Sequence, residues 1–589
     1  MNPRWFQSQR TVWRASVAAM LLAYGVGALA ADGGREALGL IVKFRDAGST
    51  LVTPASVSVA SAVDDRDRGR RLRVIAEAGL PTPTLRPNGR AAHHLSFGRL
   101  LDGAEALRLA DALRARPEVE WVVPNERERR LVSPSDPLFA RQWWLKPVSG
   151  TGANALADRL RGVPGLQSAW TLTTGSPAAI VAVLDTGITD HPELAAHVLP
   201  GYDFVSEVEY ANDGTGRDAD PSDPGDWVTE ADKSRNPVLF GKCDVASSSW
   251  HGTAISGLIA AVSNNQEGVA AANLDGRVLP VRVAGKCGAT VADIVDGMRW
   301  AAGLPVSGVP LNAHPARIIN VSFGGDAACN AAYQDAINEI ALVKGAVVVA
   351  AAGNERGLVN RPANCQGVIG VVAANRDGFK ANYSSFGPQA VIATVGGDPV
   401  DDGLWGDLLG DDGLLGADNS GSTTPSAPGY SRLFGTSFAA PVVSGAISLM
   451  LSANPNLTAE QIIAGVRLSA RPHVTSSRIA ACSTSNPGRC LCTTATCGAG
   501  LLNAEQAVRY ALGPTTYVAP ALTAVSIDSV DVERAVALGL DQSPTVSMAS
   551  GDSGGGSLGA GWLVALALAV AGVRRSRGPS AGALAVNER

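Results

Sequence analysis

The chain has 589 residues, 46% of them hydrophobic and 17% charged, and a formal net charge of -5. That composition excludes an extended disordered protein, and it lacks the basic excess that a nucleic-acid partner leaves. The length allows several domains.

Arg4, Arg10 and Arg14 precede a short apolar stretch, Ala15 to Ala28, and Ala28-Leu29-Ala30 offers small residues for cleavage. Residues 1–30 read as an export signal, because the apolar stretch is shorter than the roughly 20 residues of a spanning helix. Export implies an oxidising environment. All eight cysteines lie beyond residue 240: Cys243, Cys287, Cys329, Cys365, Cys482, Cys490, Cys492 and Cys497. An even number in an exported chain suits disulfides, and no histidine near Cys490 supports a zinc site. We expect Cys243 to pair with Cys287 and Cys329 with Cys365, although spacing does not fix the connectivity and leaves the other four open.

Residues 31–130 read as a small α+β domain, with a strand at Leu38–Phe44, a helix at Ala104–Ala115 and a strand at Val119–Val123 closed by Pro124-Asn125. Glu126-Arg127-Glu128-Arg129-Arg130 is a charged stretch open to nicking. From 135 to 513 the pattern changes. Near-continuous apolar runs (178–184, 277–283, 316–321, 345–351 and 367–373) alternate with helical stretches such as 291–302 and 327–343. Such runs predict an α/β fold, a parallel sheet covered by helices on both faces, with sites at the carboxyl ends of its strands. After 513 the pattern fades, and 514–550 is taken as a linker. Residues 551–589 hold a glycine-rich start, an apolar stretch from Leu558 to Val573 and Arg574-Arg575-Ser576-Arg577. They read as a sorting or transmembrane tail whose arginines stay cytoplasmic.

Three segments carry chemistry. Asp185-Thr186-Gly187 ends an apolar strand, and His251-Gly252-Thr253 and Gly435-Thr436-Ser437 each open an apolar helix. Pro441 is placed in the first turn of the second helix, where a missing N–H costs little. A serine hydroxyl needs a base to become a nucleophile, histidine titrates near neutrality, and a buried carboxylate orients the imidazole. The helix opening at Ser437 also aims its positive end at developing negative charge. Asn354, in Ala351-Ala352-Gly353-Asn354, offers a side-chain N–H to an oxyanion beside the Ser437 backbone N–H.

These four blocks, in this order, resemble the signature blocks of the subtilase family, and the resemblance covers roughly 135–513. It implies Asp185 as orienting acid, His251 as general base, Ser437 as nucleophile and Asn354 as oxyanion donor. It also implies a substrate cleft lined by Ser322-Phe323-Gly324-Gly325, with Ala352 and Gly353 beside them. Ala254 departs from the pattern, since many subtilases carry a second histidine there. The small domain is similar in position to the family's propeptide, which acts as chaperone and inhibitor, with the cut expected between Asn125 and Ser135. Asp136 to Trp144 resembles the start of a mature subtilase.

Calcium is expected as a structural cofactor. The loop holding Asp213, Asp218, Asp220, Asp223 and Asp226 is rich in the short carboxylates that calcium takes as ligands. A looser second match to the family's calcium loop is Val262-Ser263-Asn264-Asn265 with Glu193. His191 and His197 read as surface or supporting residues rather than bases.

Two decoys fail. Asp-Thr-Gly also marks aspartic proteases, but those need two such loops, and Asp552-Ser553-Gly554 follows no apolar strand. Gly551 to Gly555 copies the chymotrypsin nucleophile motif, but too little chain follows Ser553 to complete a barrel. A peptide-binding pseudo-enzyme and a peptide ligase remain as competing readings. The expected partners are polypeptide substrates and the chain's own propeptide, with no nucleic acid and a membrane only through the tail. A monomer on or outside a bacterial surface is expected.

Overall fold

The computed structural model describes residues 37–45, 65–88, 92–126, 133–149, 159–399 and 410–539. The expected signal segment, residues 127–132 of the expected cut region between Asn125 and Ser135, and the C-terminal tail lie outside them. The chain divides into two compact units, residues 1–130 with 518–522, and the remainder.

In the first unit four antiparallel strands run in the order Thr84–Asn88, Ala92–Ser96, Ala37–Phe44, Val119–Glu126. The helix Gly103–Arg114 starts where Asp102 accepts the Glu105 N–H, and its period buries Ala106, Leu109, Ala110 and Leu113. The last strand outruns its expected end at Pro124-Asn125. It reaches Glu126, with Pro124 opposite Leu40. It is an edge strand, where a missing N–H is tolerated.

The second unit is built on a seven-stranded parallel sheet. Its order is Ile392–Val395, Val368–Ala374, Val347–Ala351, Ile318–Val321, Ile180–Asp185, Arg277–Arg282, Tyr202–Asp203. Alternate residues serve opposite faces. Val181 and Val183 pack with Ala254, Leu258, Val443 and Ile447 of the helices His251–Ala260 and Thr436–Ala453. Ala182 and Leu184 pack with Ile294, Met298 and Ile337 of the helices Val291–Ala301 and Ala331–Glu339. The expected sheet covered on both faces is therefore present. Strand Ile180–Asp185 lies between strands that extend the sheet in opposite directions, a switch point at which sites form.

Several boundaries differ from expectation. The helix expected from residue 327 begins at Ala331, because the Asn330 side chain accepts the Tyr333 N–H and caps it. An antiparallel hairpin, Leu414–Asn419 with Pro428–Leu433, was not foreseen and leads directly into the Ser437 helix. Within the stretch taken as a linker, the helix Val530–Ala537 buries Val532 and Ala535 in the second unit's core. Asp528 just before it accepts hydrogen bonds from Ser476 and Ser477. The cysteines are joined as Cys243–Cys287, Cys329–Cys365, Cys482–Cys490 and Cys492–Cys497.

Candidate active site

Asp185 is the last residue of its strand and 1% exposed. Its Oδ1 accepts the His251 Nδ1–H at 2.7 Å and the Thr186 N–H at 2.9 Å. His251 opens its helix directly after Trp250, which takes a left-handed φ of 49° and donates its indole N–H to Gly421 O at 2.7 Å. Helix and strand end meet this closely only because residue 252 is glycine: a Cβ there would lie 2.1 Å from Gly187 O. The imidazole sits between two rings, Phe323 at 5.4 Å and Phe438 at 5.3 Å. Burial disfavours its charged form. Asp185, with Asp226 and Asp223 behind it, outweighs that burial and holds the His251 pKa above its ordinary value.

Ser437 is the second residue of the helix Thr436–Ala453, so its N–H belongs to the first turn, which has no intrahelical acceptor. Its hydroxyl donates to Ser322 O at 3.1 Å, and the Ser322 hydroxyl donates back to Ser437 O at 2.9 Å. Pro441 explains why that carbonyl is available. It lies in the second turn rather than the first, and its missing N–H is the one that would have bonded Ser437 O. Asn354 is oriented by its neighbour: Thr436 donates both its N–H (3.0 Å) and its hydroxyl (2.9 Å) to Asn354 Oδ1. Because a backbone N–H can only donate, the facing atom is the oxygen, and Nδ2 remains for a ligand.

The segments expected to line the cleft divide by chemistry. Gly325 is paired with Arg361 in an antiparallel bridge. Among the described residues, the backbone groups of Phe323 and Gly324 take no partner. Ala352 and Gly353 use theirs on Val371, Asn360, Thr436 and Ser385, so they shape the wall. His191 bonds Gly429 O and accepts the Glu193 N–H, and His197 bonds Ala260 O, so both are supports of the fold.

The five aspartates expected to hold calcium do not converge. Asp213 accepts from Thr215 N–H, Asp218 from Asp220 N–H, Asp220 from Ser222 N–H and Asp223 from Gly225 N–H. Each caps the backbone two residues on, which is the ordinary turn chemistry of aspartate. Asp213 also pairs with Arg282 at 2.6 Å, and Asp226 accepts from Ser249. Among the described residues, the one trio of cysteine, histidine or acidic atoms near enough to share an ion is Cys482, Cys492 and Cys497, whose sulfurs are in disulfides.

The second candidate loop fits a cation better. Glu193 is fully buried; Oε1 accepts from Val269 N–H and the Tyr430 hydroxyl, while Oε2 has no partner. Burial raises its pKa to about 7, with Asp136 adding to the rise. Asp136 Oδ2 accepts the Asn264 N–H at 3.0 Å, and its Oδ1 is buried without a partner. Two orphaned carboxylate oxygens beside one loop are what a hard cation satisfies. Sequence reasoning did not single out Asp136, which sits far away in the chain.

The Subtilase family model matches residues 176–490 of the 589. An extracellular protease of Xanthomonas campestris pv. campestris is 36% identical over 475 residues, covering 80% of this chain and 72% of that one. An extracellular basic protease of Dichelobacter nodosus is 34% identical over 415 residues, covering 70% of this chain and 62% of that one. Among solved structures, a protease from Pseudoalteromonas arctica shares 40% identity with a TM-score of 0.54, over 64% of this chain and all of the other. The blocks, the sheet and these relatives agree: the chain belongs to the Subtilase family of serine proteases.

Proposed function

We propose that the protein is an exported serine endopeptidase that hydrolyses extracellular polypeptides through an acyl-enzyme. The observation that carries this reading is the Asp185–His251 bond of 2.7 Å on one side of a helix start that presents Ser437. Asp185 holds Nδ1 protonated, which leaves Nε2 as the base. When a peptide occupies the cleft, the Ser437 hydroxyl leaves Ser322 O and gives its proton to Nε2 as Oγ bonds the scissile carbonyl carbon. The oxyanion receives hydrogen bonds from Asn354 Nδ2 and the Ser437 N–H. Collapse expels the amine, which takes the proton from His251, and water then cleaves the ester by the same route. Phe323 and Gly324 offer the free backbone groups on which an extended substrate aligns.

Residues 31–130 act as a propeptide, chaperone and inhibitor, removed by self-cleavage between Asn125 and Ser135. Supporting this, residues 37–126 have their own core and end in a strand at Glu126. The four disulfides support export through residues 1–30 into an oxidising space. Residues 551–589 serve as a sorting tail that anchors the precursor before release at the bacterial surface, and the enzyme works as a monomer. Calcium is held by Glu193, Asp136 and the Asn264-Asn265 loop, where it supplies a positive charge that ties the start of the second unit to its core.

Labelling the secreted enzyme with a fluorophosphonate and mapping the adduct by peptide mass tests the reaction. Modification at Ser437 is expected, and modification at another serine contradicts the assignment.

A further inference from the structure

The two carboxylates that end the acidic loop lie directly behind the catalytic pair. Thr186 follows Asp185, and its hydroxyl accepts the Gly252 N–H at 3.1 Å, next to His251. A hydroxyl carries a single proton, and this one is given to Asp223 Oδ2 at 2.6 Å. The Thr186 N–H donates to Asp185 Oδ1, and its C=O accepts from Arg282 Nε at 3.2 Å. One hydroxyl therefore joins the neighbour of the acid to the neighbour of the base, and Asp223 fixes which way it faces. Asp223 is 2% exposed, and its loop is stitched to the same turn: Ile188 N–H donates to Pro221 O and Asp223 N–H to Ile188 O. Asp226 takes the Ser249 N–H at 2.7 Å and its hydroxyl at 2.8 Å. That grip falls two residues before His251 and next to Trp250, whose left-handed backbone is costly for a large side chain.

We propose that Asp223 is a positioning residue for the Asp185–His251 pair, acting through the Thr186 hydroxyl, while Asp226 holds the chain that enters the His251 helix. Aspartates that resemble cation ligands in sequence are thus spent on aligning the base. If Asp223 is lost, the Thr186 proton has no fixed acceptor, and the hydroxyl can turn away from Gly252. The imidazole then loses its register with Asp185. The charged groups facing His251 are Asp185, Asp226 and Asp223, and those facing Asp223 are Asp226, Arg282 and His251 itself. Burial raises the Asp223 pKa to about 7, so removing Asp223 withdraws charge that favours the imidazolium chiefly near and above that pH.

The inference rests on the proposed triad and is tested with full-length secreted enzyme on a chromogenic peptide, measuring kcat, KM, pH profile and Tm. Asp223→Ala is expected to lower kcat about tenfold or more with KM within about twofold, since misalignment affects the transition state more than binding. The acid limb of kcat/KM should also move to lower pH, which a purely structural role would not do. Asp223→Asn must turn its one oxygen to the Gly225 N–H, which leaves Nδ2 against the Thr186 hydroxyl, so it keeps the side chain's shape but should lose kcat as Asp223→Ala does. Thr186→Val should lose kcat as Asp223→Ala does, and the double variant should be no worse than the poorer single one. If Asp223→Ala does not fold, Thr186→Val and Asp223→Asn decide alone. Wild-type kcat in Thr186→Val, or strictly additive losses, overturns the inference, as does an Asp223→Ala that lowers Tm alone. A Ser437→Ala variant run alongside separates the failures. If it is active, the triad reading falls; if it is inactive beside a fully active Asp223→Ala, only this inference falls.

Discussion

The loop 213–226 and the loop 262–268 with Glu193 and Asp136 make a useful contrast. The first holds five aspartates within fourteen residues, yet each of them is engaged by a backbone N–H group, a hydroxyl or Arg282. The second draws two acids from distant parts of the chain and leaves a buried oxygen of each unpartnered. Density of acid in a sequence therefore marks turns as readily as cations. What marks a cation is a buried oxygen that the fold has not satisfied.

The sharpest way to break the contrast is to remove what holds the first loop. Arg282 is buried and bonds Asp203, Asp213 and Ala211 O. Asp203 is fully buried, and burial raises its pKa to about 7 even with Arg282 beside it. Arg282→Met should cost about 3–5 kcal/mol in urea unfolding, because it leaves buried charge uncompensated. A cost below about 1 kcal/mol would mean that the loop is held by something else.

Calcium gives the next largest effect. At about a hundred times its Kd, calcium should stabilise the fold by about 2.7 kcal/mol, read as a Tm rise that a chelator reverses. Glu193→Gln should abolish that increment, while Asp213→Asn and Asp220→Asn leave it intact. The opposite dependence would restore the aspartate loop as the cation site. Asp220→Ala removes one exposed turn bond, to Ser222 N–H, and should cost about 0.5–1.5 kcal/mol with or without calcium.

The smallest effect is on pH dependence. A His251 pKa held above its ordinary value keeps the ring protonated, and useless as a base, to higher pH. The kcat/KM profile should therefore rise with pH through a midpoint above about 6.5. Asp226→Asn removes a charge that favours the imidazolium, so the midpoint should move to lower pH. A rise would contradict the sign of the Asp226 contribution.

The sheet was legible because strands buried on both faces must be apolar at every position, and Val347–Ala351 and Val368–Ala374 are. The triad and Asn354 were legible because each follows such a strand or opens a helix. What escaped reading depends on long-range packing. The helix start at Ala331 depends on an Asn330 cap, and the hairpin at Leu414–Leu433 has no tight-turn signal between its strands. Val530–Ala537 is an eight-residue helix with only Val532 and Ala535 buried, so its apolar period is faint. Pro441 had the right meaning at the wrong turn. It spares Ser437 O for Ser322, which a sequence cannot show without the partner. Asp136 and Glu193 are ordinary acids until the fold brings them to one loop.

The most direct test of the central assignment is hydrolysis of a peptide substrate by folded Ser437→Ala, with residues 31–130 cut away by an added protease, beside the processed wild type, with Tm confirming equal folding. The expected result is a loss of at least about 10⁴-fold in kcat at unchanged Tm. Equal turnover by the two proteins would contradict Ser437 as the nucleophile, and with it the roles given to His251 and Asp185.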